Sequence, residues 1–121
     1  MPSKTQSLGA IKEAQALQQL KHAGLRLIQK NYFCCYGEID LILKDNNTIV
    51  FVEVRMRSTR SYGDTIESIT KSKQQKIITS AQLFLAKHPF WQSFMARFDV
   101  VTFDGPYQKQ GCWIKDAFRL E

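Results

Sequence analysis

Two runs rich in Ile, Val, Leu and Phe, Glu38 to Lys44 and Thr48 to Arg57, flank the polar stretch Asp45-Asn46-Asn47. Strand formers broken by turn residues mark an antiparallel hairpin, and that hairpin constrains the rest of the chain more than any other feature. Asn tolerates left-handed backbone, so Asn46-Asn47 is expected to make a two-residue type I′ turn in which Asp45 pairs with Thr48. Paired residue numbers then sum to 93. That register sets Asp40 opposite Glu53, Glu38 opposite Arg55 and Ile42 opposite Phe51. Ile39, Leu41 and Leu43 share the other side with Val50, Val52 and Val54, and that side is wholly apolar.

Side chains directly opposite in such a pair have Cβ atoms about 4.5–5.5 Å apart. Two carboxylates at that distance repel unless a cation or a shared proton compensates. Mg²⁺ is the simplest compensator, because it is usually held by one or two carboxylates with waters and substrate phosphate oxygens. Asp40 and Glu53 are therefore a candidate metal pair; the alternative is a solvated pair on an open sheet face, neutralised by Arg55 and Arg57. A third acid stands on a helix that Ser7 can cap and that runs to Ala23, with Gly24 as its left-handed exit. Helical projection places Glu13 between Leu17 and Leu20, in a stripe with Ala10 and Ala14. A core-facing Glu needs a partner, so Glu13 either bonds a basic group or joins the acidic pair.

The remaining elements follow from pattern. Leu25 to Phe33 is a short mixed strand, and Gly63-Asp64 marks a loop. Thr70 to Lys87 repeats Ile77, Ile78, Ala81, Phe84 and Leu85 at helical spacing until Pro89 ends the run. Arg97 to Phe103 is a strand, Gly105-Pro106 a turn, and Cys112 to Ile114 a short last strand. The order α-β-β-β-α-β-β predicts an α/β fold, a central mixed sheet flanked by helices, in a single domain over residues 1–121. With 44% hydrophobic against 23% charged residues, wholesale disorder is excluded.

The net charge is +6, and it is concentrated. Arg55, Arg57, Arg60, Lys71, Lys73 and Lys76 fall in one segment that holds only Asp64 and Glu67 as acids. Lys71 and Lys73 near a helix N-terminus oppose the macrodipole, which makes sense if a phosphate binds there; a solvated positive face is the plainer reading. Tyr36 and Tyr62 are able to stack on bases, although isolated tyrosines more often anchor loops. Gln74 shares the inner stripe of the second helix and is either site-lining or core-edge packing. Cys34, Cys35 and Cys112 lack zinc-ligand spacing, and an odd number of cysteines fits reduced thiols in the cytoplasm. Met1 to Ser7 is polar and no apolar run approaches the ~18 residues of a membrane span, so neither a signal peptide nor a membrane anchor is expected.

Four segments, Gly37-Glu38-Ile39-Asp40-Leu41-Ile42, Phe51-Val52-Glu53-Val54-Arg55, Arg97-Phe98-Asp99-Val100-Val101 and Trp113-Ile114-Lys115-Asp116-Ala117-Phe118, in this order and spacing closely resemble the YraN-like bacterial proteins, uncharacterised protein family 0102. The resemblance covers residues 8 to 118. That family is similar to the restriction-endonuclease-like PD-(D/E)xK nucleases and, more narrowly, to archaeal Holliday-junction resolvases. The resemblance implies a metal-dependent endonuclease that uses Mg²⁺ or Mn²⁺ to hydrolyse phosphodiester bonds in structured DNA. Asp40 and Glu53 would be metal ligands, and Glu13 would match the helix-borne Glu beside them. Arg55 stands where the motif has Lys, and a guanidinium cannot accept a proton but can clamp a phosphate oxygen. Lys71, Lys73 or Lys76 would partly replace the missing lysine, with Arg57 and Arg60 as further nucleic-acid contacts. Lys12 replaces a Gly often found before the helical Glu, a change expected to matter less. A four-way junction offers two equivalent cleavage positions, which implies a homodimer. The competing readings are a nucleic-acid-binding module of the same fold that does not cleave, and a small basic protein-interaction domain.

Overall fold

The structure, a computed structural model, describes residues 7–57 and 69–119. Arg60, Tyr62, Gly63-Asp64 and Glu67 lie outside the described residues. Helix α1 spans Leu8–His22; Ser7 Oγ accepts the Ala10 N–H at 3.1 Å, and Gly24 turns the chain away with φ 101°. Strands β1 (Arg26–Cys34), β2 (Gly37–Asp45) and β3 (Thr48–Arg57) follow as a meander. Helix α2 spans Lys71–Lys87, with Thr70 as its cap: Thr70 Oγ1 accepts the Lys73 N–H at 3.1 Å. Pro89 opens one 3-10 turn to Trp91 before β4 (Met95–Asp104) and β5 (Cys112–Phe118). The last strand runs four residues beyond the expected Ile114, because polar Lys115 and left-handed Asp116 (φ 53°) conceal its pattern.

The five strands lie in the order β1-β2-β3-β4-β5. Only β3 and β4 are parallel, and the crossover between them carries α2. The result is the predicted α/β arrangement, consistent with the restriction-endonuclease-like fold. The β2–β3 register is the predicted one, from Asp45↔Thr48 to Leu41↔Val52. The turn is not type I′, since Asn46 is left-handed (φ 56°) and Asn47 is not. Two loop residues fix the register whichever primed turn they adopt.

Neither sheet face is open. Helix α2 covers Ile42, Ile49, Phe51 and Val100 with Ile77, Ile78, Ala81 and Phe84, and α1 covers Leu41, Leu43, Val50 and Val52 with Ala16 and Leu20. Ile39 departs from the expected alternation and joins the α2 side. Two irregularities of the neighbouring strand accompany this: Asn31, with φ 49°, drops out of the ladder between Lys30↔Leu41 and Tyr32↔Ile39, and the register shifts between Leu27 and Gln29. The buried stripe of α1 is Lys12, Ala16 and Leu20, while Ala10 and Ala14 are exposed. Lys12 is far from incidental. It is 1% exposed, donates to Gln15 Oε1 and to the carbonyls of Pro106 and Gln108, and lies over the Phe103 ring.

The Arg97-Phe98-Asp99 segment also has a structural reason. Asp99, fully buried, accepts from Arg97 Nε, Trp113 Nε1 and the Asp116 N–H at 2.9–3.0 Å, and Arg97 also reaches Asp45 at 3.1 Å. One carboxylate thereby joins β4, β5 and the hairpin turn. Among the described residues no helix is long and apolar enough to cross a membrane.

Candidate active site

The β2–β3 ladder stops at Leu41↔Val52, and the next carboxylate takes over the strand's hydrogen bonding. Asp40 Oδ2 accepts the Val54 N–H at 2.8 Å, which holds the two strand ends apart as a fork. Glu53, 6% exposed, lines the same two cavities as Asp40. Its Oε2 is 3.3 Å from Lys73 Nζ and 3.8 Å from Arg55 Nη1. The two acids expected to face one another thus line one site, although the β2–β3 ladder ends one residue short of them.

Glu13 arrives from α1 on the same side. Asn31 Nδ2 donates to Glu13 Oε1 at 3.0 Å and to Glu38 Oε2 at 3.1 Å, so one amide holds two carboxylates together. Glu13, Glu38 and Asp40 each offer an oxygen, all within 4.8 Å of one another. Glu13 thus joins the acids. Glu38 turns to this group and not to Arg55, which goes to Glu53. Glu38 was not among the expected ligands, although period-two alternation sets it on Asp40's side. Asn31 has no comparable signal, because a left-handed residue within a strand has no local sequence signature.

Crowded acids in a partly buried site hold protons strongly. Burial, followed by the charge of Glu53, pushes the Asp40 carboxyl up to about 8 against the Val54 N–H. Burial also raises Glu53, opposed by Lys73 and Arg55. Such a site accommodates either extra protons or a cation. Its donors are all carboxylate oxygens, the hard set suited to Mg²⁺ or Mn²⁺, and Glu13, Glu38 and Asp40 are near enough to share one ion.

The basic residues divide. Lys73 enters the site, and Lys76 lines a cavity of about 270 Å³ beside it, toward α2. A second cavity of about 310 Å³, toward α1, contains Glu13 and Arg55. Asp40, Glu53 and Lys73 border both. Lys71 is exposed on the first turn of α2 and has no acidic partner among the described residues. Arg57 does not neutralise the acidic pair; its Nε donates to Asp104 at 2.9 Å. Arg60 is outside the described residues. Gln74 caps locally, donating to the Ile69 carbonyl at 2.9 Å.

The sequence profile described as "Uncharacterised protein family UPF0102" matches residues 12–103, which include all four acids, Arg55 and the three lysines. The chain is 47% identical over 117 residues to a UPF0102 protein of Stutzerimonas stutzeri, covering 96% of this chain and 98% of the relative. A UPF0102 protein of Pseudomonas syringae pv. tomato is 44% identical, with 96% and 95% covered. One of Legionella pneumophila is 44% identical, with 94% and 96% covered.

Proposed function

Since the chain belongs to the uncharacterised protein family UPF0102, a name that states no activity, we propose its function from the site: a metal-dependent endonuclease hydrolysing phosphodiester bonds in structured DNA. The observation that carries this reading is the convergence of Glu13, Glu38, Asp40 and Glu53 at a strand fork beside Lys73 and Arg55. Structural acids at a fold's surface are normally neutralised by their neighbours. Here burial, and then the charge of Glu53, push the Asp40 carboxyl up to about 8.

When bound, a divalent ion would acidify a water and offset the charge that develops on the phosphoryl oxygens. Glu13, Glu38 and Asp40 would hold it, and Asn31 would fix two of them in place. Glu53, tied to Lys73, would orient the ammonium toward the same water. Lys73 would stand in for the motif's lysine by stabilising charge that develops on the phosphoryl oxygens. Arg55 would clamp a non-bridging phosphate oxygen. Lys71 and Lys76, without acidic partners among the described residues, would take flanking phosphates.

The test is cleavage of a four-way junction and of linear duplex in Mg²⁺ or Mn²⁺, repeated with Asp40→Ala and Glu53→Ala. The reading requires metal-dependent products that both substitutions remove. Cleavage that survives both excludes this site. Salt-sensitive binding without products favours a non-cleaving module of the same fold.

A further inference from the structure

We propose that the cavity toward α2 is a subsite for one unpaired nucleotide next to the scissile phosphate, so that the substrate is DNA with an unstacked base at the cleavage position. This rests on the nuclease reading and specifies its substrate. The cavity, of about 270 Å³, lies at the low end of small-molecule pockets, a size for one nucleoside and not for a stack of them. Besides an acidic edge of Glu38, Asp40 and Glu53, its wall has two chemistries. The Tyr36 ring, on the β1–β2 turn and 49% exposed, and the Ile77 side chain form an apolar surface. Thr70, Ser72 and Lys76 at the start of α2 form a polar and cationic one.

A nucleotide has the same division, with a flat apolar base face at one end and an anionic phosphate at the other. Lys76 is available to a phosphate, having no acidic partner among the described residues. The position of the acids sets the geometry. Asp40, Glu53 and Lys73 border both this cavity and the one toward α1. A sugar-phosphate strand passing from one cavity to the other leaves a phosphate over the carboxylates and the adjoining base against Tyr36. A paired base cannot fill this role, because its faces are occupied by neighbouring base pairs; a base at a branch point, bulge or flap presents one. Tyr36 is the specificity-determining residue of this scheme, and stacking on an aromatic side chain is the interaction that captures any base irrespective of sequence.

The experiment compares a duplex containing one unpaired 2-aminopurine with the same duplex fully paired, bound to the full chain in Ca²⁺ so that no strand is cut. The proposal predicts about tenfold tighter binding of the bulged duplex, the scale of one base stacked on an aromatic ring, and quenching of 2-aminopurine fluorescence on binding. Tyr36→Ala should abolish both the preference and the quenching. Tyr36→Phe should retain them. Equal affinity for the two duplexes, or a preference that persists in Tyr36→Ala, overturns the subsite. The preference without Mg²⁺-dependent cleavage would refute the nuclease reading alone, whereas cleavage without the preference would refute the subsite alone.

Discussion

Asp40 is the residue on which site chemistry and stability meet. In the metal-free protein its carboxyl is pushed from an ordinary 3.8 up to about 8, so between these values the folded state holds a proton that the unfolded chain has released. The stability associated with that proton is complete below about pH 4 and is lost as pH rises through about 8. Asp40→Asn removes the titration. In EDTA, the wild-type Tm should fall between pH 6 and pH 9 by at least about 5 °C more than that of Asp40→Asn, the shift that ~1 kcal/mol produces in a chain of this length. Mn²⁺ should restore the wild type at pH 9 and leave the variant unchanged, because ligation needs the ionised carboxylate. Asn31 tests the arrangement from behind. Asn31→Gly keeps the left-handed backbone and removes the amide that joins Glu13 to Glu38. Calorimetry should report Mn²⁺ affinity lower by about 10–100-fold; unchanged affinity would make Asn31 a backbone element only.

At the scale of elements, the site depends on anchors that lie away from it. Helix α1 is fastened to the segment before β5 twice: Lys12 bonds the Pro106 and Gln108 carbonyls, and Gln19 exchanges two hydrogen bonds with Gly111. A Cβ on Gly111 would lie 2.5 Å from Val101 Cγ1, so no side chain fits there without displacing the Val101 side chain. Lys12→Met should leave two carbonyls without a donor and lower stability by about 1–3 kcal/mol in urea unfolding. It should also reduce metal affinity, since Glu13 is the next residue. The Asp99 cluster anchors the other edge of the sheet, and Asp99→Ala, which strands Arg97 and Trp113 without their buried acceptor, should cost about 3–5 kcal/mol. Much of this level was legible in the sequence. The hairpin register, the cap at Ser7 and the ends of α2 follow from local rules that each act within a few residues. The turn type, the side occupied by Ile39 and the length of β5 do not. Each depends on a left-handed residue or a neighbouring strand that single-sequence periodicity does not register.

For the whole molecule, the crossover from β3 through α2 to β4 determines which residues meet. Asp40 and Glu53 could be paired from the sequence because one hairpin contains both. Lys73 could be named only as one of three lysines, since its position depends on where a helix packs after an intervening segment. Glu38 was available from strand parity, but the hairpin register sets it opposite Arg55, whose own path to Glu53 exists only in three dimensions. Unpaired cations set the response to salt: replacing Lys71 and Lys76 together by Ala should flatten the dependence of log K on log [salt] for DNA binding by about 2 and weaken all sequences alike. The most direct measurement is anomalous scattering from a crystal soaked in Mn²⁺. One peak is expected, bounded by Glu13, Glu38 and Asp40 and about 2.1 Å from their oxygens. A site that stays empty at millimolar Mn²⁺, or a peak elsewhere with the acids bonded only to Lys73, Arg55 and Asn31, would contradict the proposed metal site.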